Sequence, residues 1–255
     1  MEQASLRIED LTIRFGGHAA VNMVTCAFRA GELTVVVGPN GAGKTTCFNL
    51  ISGQLRPSSG RIFKDGQDIT DLSASARAKT GIGRAFQLTN LFPKLSVLEN
   101  VRLAVQAQHG IGPVIFRRAR SFTRLRDEAY AHLEATRLQK AANLPVTALT
   151  HGDQRKLEIA LLLALKPDIF MFDEPTAGMS VDEAPVILEL IEEIKKDADK
   201  TVLLVEHKMD VVRSLADRIV VLHNGELVAD GKPDEVIALP LVREIYLGVP
   251  AEDAA

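Results

Sequence analysis

Tryptophan is absent and tyrosine occurs only twice, so aromatic residues make up 5% of the 255 positions. A core must therefore be mainly aliphatic, with phenylalanine as its aromatic, and a hydrophobic share of 46% is enough to build one. Cysteine is almost as scarce. Cys26 and Cys47 stand alone, with no C-x-x-C pair and no His-Cys cluster, which excludes a disulfide framework and a cysteine-based zinc site and fits a reducing cytosol. Cys47, inside a helical pattern, is either a small packed residue or a thiol of lowered pKa. Long apolar runs are missing too: 159–165 is among the longest, far short of the ~20 residues that cross a bilayer. Residues 1–10 mix charge with apolar side chains and show neither the basic nor the apolar region of a secretory signal, so none is expected. Finally, there is no excess of positive charge. A formal net charge of -3 gives no field to hold a phosphate backbone, and nucleic acid is not expected as a partner.

What is present includes one stretch of specific chemistry. Gly38, Pro39, Asn40, Gly41, Ala42, Gly43, Lys44, Thr45 and Thr46 fit G-x-x-x-x-G-K-[ST]. The stretch lies between an apolar run over 33–37 and a helical pattern over 44–51, the strand-loop-helix context the motif requires. Glycines leave room for the backbone to wrap an anion. Successive N–H groups then point at phosphates, the helix dipole adds partial positive charge, and Lys44 reaches the terminal phosphates. Thr45 would bring its hydroxyl to Mg2+. The motif predicts binding of a nucleoside triphosphate.

The chain around it alternates between two periodicities. Residues 6–15 alternate apolar and polar, 24–28 continue as strand, and 60–69 carry Asp65-Gly66 as a hairpin turn, which together predict a small antiparallel sheet. Apolar strands over 81–87, 169–172 and 201–205 end at Gln87, at Asp173-Glu174 and at Glu206-His207. Helical spacing is found over 96–108, where Ser96 and Glu99 form a capping box, over 153–165 and over 184–194. A continuous basic helical stretch is expected over 114–143. Its arginines 117, 118, 120, 124 and 126 either face water or contact anionic lipid headgroups or an acidic partner. Asn224-Gly225 predicts a late hairpin. Strands alternating with helices imply a mostly parallel sheet covered on both faces, with ligands at the carboxyl ends of its strands. There Asp173 can hold the water shell of Mg2+, and Glu174 can polarise a water attacking the terminal phosphoryl group. His207 is either a hydrogen-bonded structural residue or a donor to that phosphate.

Taken in order after the phosphate loop, Gln87, the run Leu149-Thr150-His151-Gly152-Asp153-Gln154, residues 169–174 and Glu206-His207 resemble the ATP-binding cassette of ABC transporters over nearly the whole chain. The resemblance implies an α/β fold: a P-loop NTPase core with a mostly parallel sheet, an N-terminal antiparallel β subdomain and an inserted helical subdomain. It implies one ATP-binding domain over 1–255, in which 1–86 and 165–255 form the nucleotide-binding core and 88–164 the helical subdomain. It further implies that Phe15 stacks on adenine and that Gln87 touches Mg2+ and the attacking water. Leu149, Thr150, His151, Gly152 and Asp153 would complete the ATP site of a second cassette. On this resemblance ATP and Mg2+ are the cofactors, Glu174, His207 and Gln87 are catalytic, and Thr45, Gln87 and Asp173 hold the metal.

The implied partners are a second cassette, identical or paralogous, transmembrane permease subunits and, indirectly, a periplasmic solute-binding protein. The implied location is peripheral, on the cytoplasmic face of the inner membrane. Phe15-Gly16-Gly17, the segment 83–87, the insert through Arg126, residues 152–160 and Tyr246-Leu247-Gly248 are similar to the ATP-binding subunits of branched-chain amino acid importers. Urea or amide systems and lipopolysaccharide export remain as alternatives within the same family. Thr150, His151, Asp153 and Ser180 depart from the family's usual Ser, Gly, Gln and Asp.

Overall fold

The structure is a computed structural model in which residues 4–85, 91–111, 119–180 and 182–247 are described. Gln87, Arg117, Arg118 and Gly248 lie outside the described residues. The chain opens with strands β1 (Leu6–Phe15) and β2 (His18–Phe28), then β3 (Leu33–Val37) and helix α1 (Lys44–Ser52). Strands β4 (Ser59–Lys64) and β5 (Gln67–Asp68), helix α2 (Ala74–Lys79) and strand β6 (Ile82–Ala85) follow. Helices α3 (Val97–Gln108), α4 (Ala119–Ala135) and α5 (His151–Leu165) come next, then β7 (Ile169–Asp173) and α6 (Ala184–Lys195). The last part holds β8 (Thr201–Val205), α7 (Met209–Leu215), β9 (Arg218–His223), β10 (Glu226–Gly231), α8 (Pro233–Ala238) and α9 (Pro240–Leu247). The chain divides into two compact units: Met1–Ile82 with Asp168–Glu174 and Glu192–Ala255, and Gly83–Pro167 with Pro175–Ile191.

The first unit contains two sheets. One is antiparallel, in the order β2-β1-β4-β5, and includes the two hairpin pieces expected from the alternating pattern and from Asp65-Gly66. The other has the order β10-β9-β3-β8-β7-β6, and its last strand leaves the unit after Ile82. Within it β3 runs parallel to β8 and β9, and β7 parallel to β8, while β10 is antiparallel to β9. Every residue of β3, β7 and β8 is buried, which is why these strands read as continuous apolar runs with no alternation. One mainly aliphatic core joins the sheets and α1: Leu6, Phe28, Phe48, Leu50, Ile62, Met171, Val205 and Leu222 all belong to it. Arg77 of α2, also buried, donates to the carbonyls of Leu50 and Ile51 at 2.5 and 2.8 Å and to that of Thr70 at 2.7 Å. It thus supplies the cap that the C-terminal carbonyls of α1 lack within the helix.

The second unit is helical and has its own core, formed by Val97, Val101 and Val105 of α3, Leu125, Ala129 and Leu133 of α4, and Leu157, Ala160 and Ala164 of α5. Ser96 caps α3 as expected, its Oγ accepting from the Glu99 N–H at 3.1 Å. The Glu99 carboxylate, however, binds Arg102 Nε at 2.8 Å, so the side-chain half of the expected capping box is spent on a charged neighbour one turn on. The helix expected to run on to 143 stops at Ala135. Thr136 turns its hydroxyl back to the His132 carbonyl at 3.0 Å, Arg137 takes the left-handed conformation at φ 60°, and the chain resumes as a 3₁₀ turn over Gln139–Ala141.

The ends of α3 and α5 meet at one carboxylate midway along α4. Glu128 of α4 accepts from Lys166 Nζ, just after α5, at 2.8 Å, and its other oxygen lies 2.8 Å from Nε2 of His109, just after α3. Hydrogen bonds from Lys166 first and His109 second draw the Glu128 carboxyl down from an ordinary 4.5 to about 2. A carboxylate whose folded pKa is depressed contributes stability above its unfolded value and loses it as the pH falls through the folded one. Glu128→Gln is therefore expected to lower the midpoint of thermal unfolding near neutral pH. The gap from the parent should narrow as the pH falls from about 4.5 toward about 2, followed by circular dichroism across a pH series. A gap that does not change with pH would refute the pairing.

Candidate functional site

The functional residues of the first unit stand where buried strands run out. β3 ends at Val37, and the loop 38–43 turns the chain into α1. Two glycines make that turn possible. A β-carbon on Gly38 would stand 2.1 Å from the Leu222 carbonyl oxygen, and one on Gly43, at φ 97°, would stand 2.3 Å from that of Ala20. The loop is also tied from outside: the Gly225 N–H, in the β9–β10 turn, donates to the Ala42 carbonyl at 3.1 Å. The Asn22 N–H of β2 in turn donates to the Gly225 carbonyl at 2.8 Å. Gly43 is the N-cap of α1 and has no side chain to cap it, so the first N–H groups of the helix are left for an anion.

Lys44 is 5% exposed and folds over the loop, its Nζ donating to the Gly38 and Pro39 carbonyls at 2.8 and 2.9 Å. Burial lowers its pKa, and the carboxylates of Glu174 and Asp173 act in the opposite direction. Next to it, Thr45 Oγ1 is 3.4 Å from Oδ1 of Asp173, the buried last residue of β7. Glu174 follows at a positive φ of 52° and is held at two points. Its N–H donates to the Val205 carbonyl at 3.0 Å, and its Oε1 lies 2.6 Å from His207 Nε2. A cavity of about 410 Å³ opens over the loop, lined by Phe15, Ala20, residues 40–46 and Glu174. Phe15 is 52% exposed at its mouth and presents an aromatic face there.

The structure thus brings together Phe15, the whole phosphate loop, Asp173, Glu174 and His207. Gln87 lies outside the described residues. Leu149, Thr150, His151, Gly152 and Asp153 belong to the second unit, where Thr150 is the N-cap of α5 and its hydroxyl accepts from the Asp153 N–H at 3.1 Å. The Asp153 carboxylate is neutralised by Lys156 Nζ at 2.8 Å. Gly152 packs against the end of the Glu183 side chain, whose Oε1 would stand 2.6 Å from a β-carbon there and would have to swing aside. The other oxygen of Glu183 accepts from the Ser180 hydroxyl at 3.1 Å.

Two of these residues escaped the sequence reading. Ala20 enters the cavity only through the pairing of β2 with β1, and a single alanine on a strand carries no signal. Glu183 had one: Ser180 and Glu183 stand at the S-x-x-E spacing of a local cap.

A loop that leads into an uncapped helix N-terminus and holds a lysine suits a polyphosphate. Among the described residues no three His, Cys, Asp or Glu side chains are placed to hold a metal ion. A hydroxyl and a carboxylate at the loop nevertheless fit Mg2+, which takes few protein oxygens and completes its shell with water and phosphate. Gly43→Ala forces a β-carbon onto the Ala20 carbonyl at a φ that disfavours alanine. Affinity for ATP is expected to fall on the order of 30-fold or more, equivalent to about 2 kcal/mol of strain. Fluorescent-nucleotide titration reads this directly, and unchanged affinity would show that the loop does not need its glycine.

The family described as ABC transporter matches residues 21–177. The high-affinity branched-chain amino acid transport ATP-binding protein LivG of Escherichia coli is 38% identical over 255 residues, with 97% of this chain and 99% of the relative covered. BraF of Pseudomonas aeruginosa, with the same description, is 38% identical at the same coverage. Among solved structures, a nucleotide-free ATP-binding cassette from an ABC transporter superposes with a TM-score of 0.81 at 27% identity, covering 96% of this chain and 100% of that one. A dimeric cassette bound to ADP and Pi after hydrolysis superposes with a TM-score of 0.75 at 28% identity, covering 89% and 98%. With the phosphate loop and its strand-end carboxylates in place, the chain belongs to the ABC transporter family, as one of its ATP-binding cassettes.

Proposed function

We propose that the chain, acting as a single domain over 1–255, hydrolyses ATP in a dimer of cassettes to drive the import of branched-chain, hydrophobic amino acids. Hydrolysis rests on one observation above the rest: Glu174 and His207 meet at 2.6 Å beside the phosphate loop, where a water attacking the terminal phosphate would stand. The solute class rests on the near full-length likeness to LivG and BraF, whose names specify it.

The loop's N–H groups and Lys44 bind the triphosphate, and Phe15 stacks on the base. Thr45 and Asp173 would hold Mg2+, with Gln87 as a further ligand on family resemblance; when bound, the ion supplies positive charge to the phosphate oxygens. Glu174 takes the proton of the attacking water, and His207 orients the water and the terminal phosphate. Leu149–Asp153 present the N-terminus of α5 to the ATP of the second cassette, with Thr150 keeping the hydroxyl of the usual serine. The ion pair with Lys156 explains how Asp153 is tolerated there, because its charge is already compensated within the first turn. His151 and Ser180 are compatible with two unequal sites.

The cassette partner is a second copy or a paralogue. Dimeric relatives support the pairing, and the relatives' transport role supports permease subunits and, through them, a periplasmic solute-binding protein. Among the described residues no helix is long and apolar enough to cross a membrane. This fits a peripheral subunit docked on the cytoplasmic face of the inner membrane.

Glu174→Gln keeps the shape of the site and removes the base. It is expected to bind ATP, to accumulate as a dimer in size-exclusion chromatography with ATP, and to turn over at least about 100-fold more slowly. Parental turnover would overturn the assignment of Glu174.

A further inference from the structure

Glu206 has no part in the scheme above, yet it sits in its midst. β8 is apolar and buried through Val205, and the next residue, Glu206, is 3% exposed. A carboxylate buried at this depth is retained only where it is well bonded, since desolvation penalises its charged form. Its Oε2 accepts from two successive backbone N–H groups, those of His207 at 2.7 Å and Lys208 at 3.2 Å. Lys208 is the N-cap of α7 but carries no acceptor and makes no side-chain cap. The carboxylate of Glu206 instead ties down the two N–H groups just ahead of α7 and so fixes how the chain leaves β8.

That exit decides where the imidazole of His207 stands. Residues 205–207 touch Glu174 at two points: the Val205 carbonyl accepts its N–H, and His207 Nε2 meets its Oε1. Glu206 is the link between these two contacts. The imidazole is itself 34% exposed, so packing alone leaves it room to move. We propose that Glu206 is a positioning residue for ATP hydrolysis, its buried carboxylate locking the backbone of His207 so that the imidazole stays against Glu174. The inference rests on the roles given above to Glu174 and His207.

Two variants of Glu206 separate bonding from packing. Glu206→Gln keeps volume and one oxygen acceptor, whereas Glu206→Leu keeps bulk and removes the acceptor. Both are assayed for ATP hydrolysis as the full chain with Mg2+, alone and combined with His207→Ala. Glu206→Leu is expected to lower kcat on the order of 10- to 100-fold while KM for ATP stays within about twofold; Glu206→Gln should remain within about threefold of the parent. In the His207→Ala background the leucine variant should cost nothing more, because a residue that acts through His207 has nothing left to position.

Parental kcat in Glu206→Leu, a glutamine variant as slow as His207→Ala, or losses that multiply in the double variant would each overturn the proposal. Should the leucine variant not fold, Glu206→Gln against His207→Ala decides alone. If His207→Ala itself turns over at the parental rate, the reading of His207 fails and takes this inference with it. A slow His207→Ala beside a parental Glu206→Leu sinks this inference only.

Discussion

The site depends on one constraint: β3, β7 and β8 are neighbours in a parallel sheet and are buried along their whole length. Their backbone groups are satisfied in the ladder, and their side chains are apolar apart from Thr34, Thr201 and the terminal Asp173. Charged chemistry therefore collects where the strands stop. Because the three strands are parallel and in register, they stop on the same edge, and the phosphate loop, Asp173-Glu174 and Glu206-His207 arrive there together. The aliphatic core thus determines the location of the carboxylates, the imidazole and the lysine, although it contacts no substrate.

A second layer of control lies in the backbone. The phosphate loop is enclosed by parts of the chain far apart in sequence: its glycines lie against the carbonyls of Ala20 on β2 and Leu222 on β9, and the Gly225 N–H in the following turn bonds it. Arg77 closes the other end of α1. The helix whose N-terminus faces the anion is therefore fixed at both ends by the protein's own contacts, which keeps the N–H groups oriented at little further entropic cost. The same economy recurs at Glu174, whose left-handed backbone is held by Val205 and whose side chain is held by His207.

Features written in local pattern were legible in the sequence. The phosphate loop, the buried strands with polar ends, the Asp65-Gly66 and Asn224-Gly225 turns and the Ser96 cap each depend on residues a few positions apart. What escaped depends on contacts between distant segments or on weak stop signals. Nothing in Thr136-Arg137 announces the end of α4, because an arginine in the left-handed conformation has no compositional mark. β2 begins at His18, well before the expected 24, since its first half is held by pairing with β1 across bulged positions and by little apolar periodicity of its own. The short helices α2 and α8 were missed although Ser73 caps one and Pro233 starts the other, because six residues give too little periodicity to weigh. Glu99 binding Arg102, and Ala20 reaching the cavity, follow from geometry that spacing does not encode.

The two bonds that Lys44 makes to Gly38 and Pro39 carry a further consequence. These bonds anchor the ammonium over the loop and engage two of its three N–H donors with neutral carbonyls. The third donor and the full positive charge remain for a ligand, so a multiply charged phosphate gains a charge-assisted bond there while a neutral ligand of the same shape gains far less. The loop thereby selects by charge number, and a nucleoside without its phosphates would find the base-stacking face of Phe15 but no partner at Lys44.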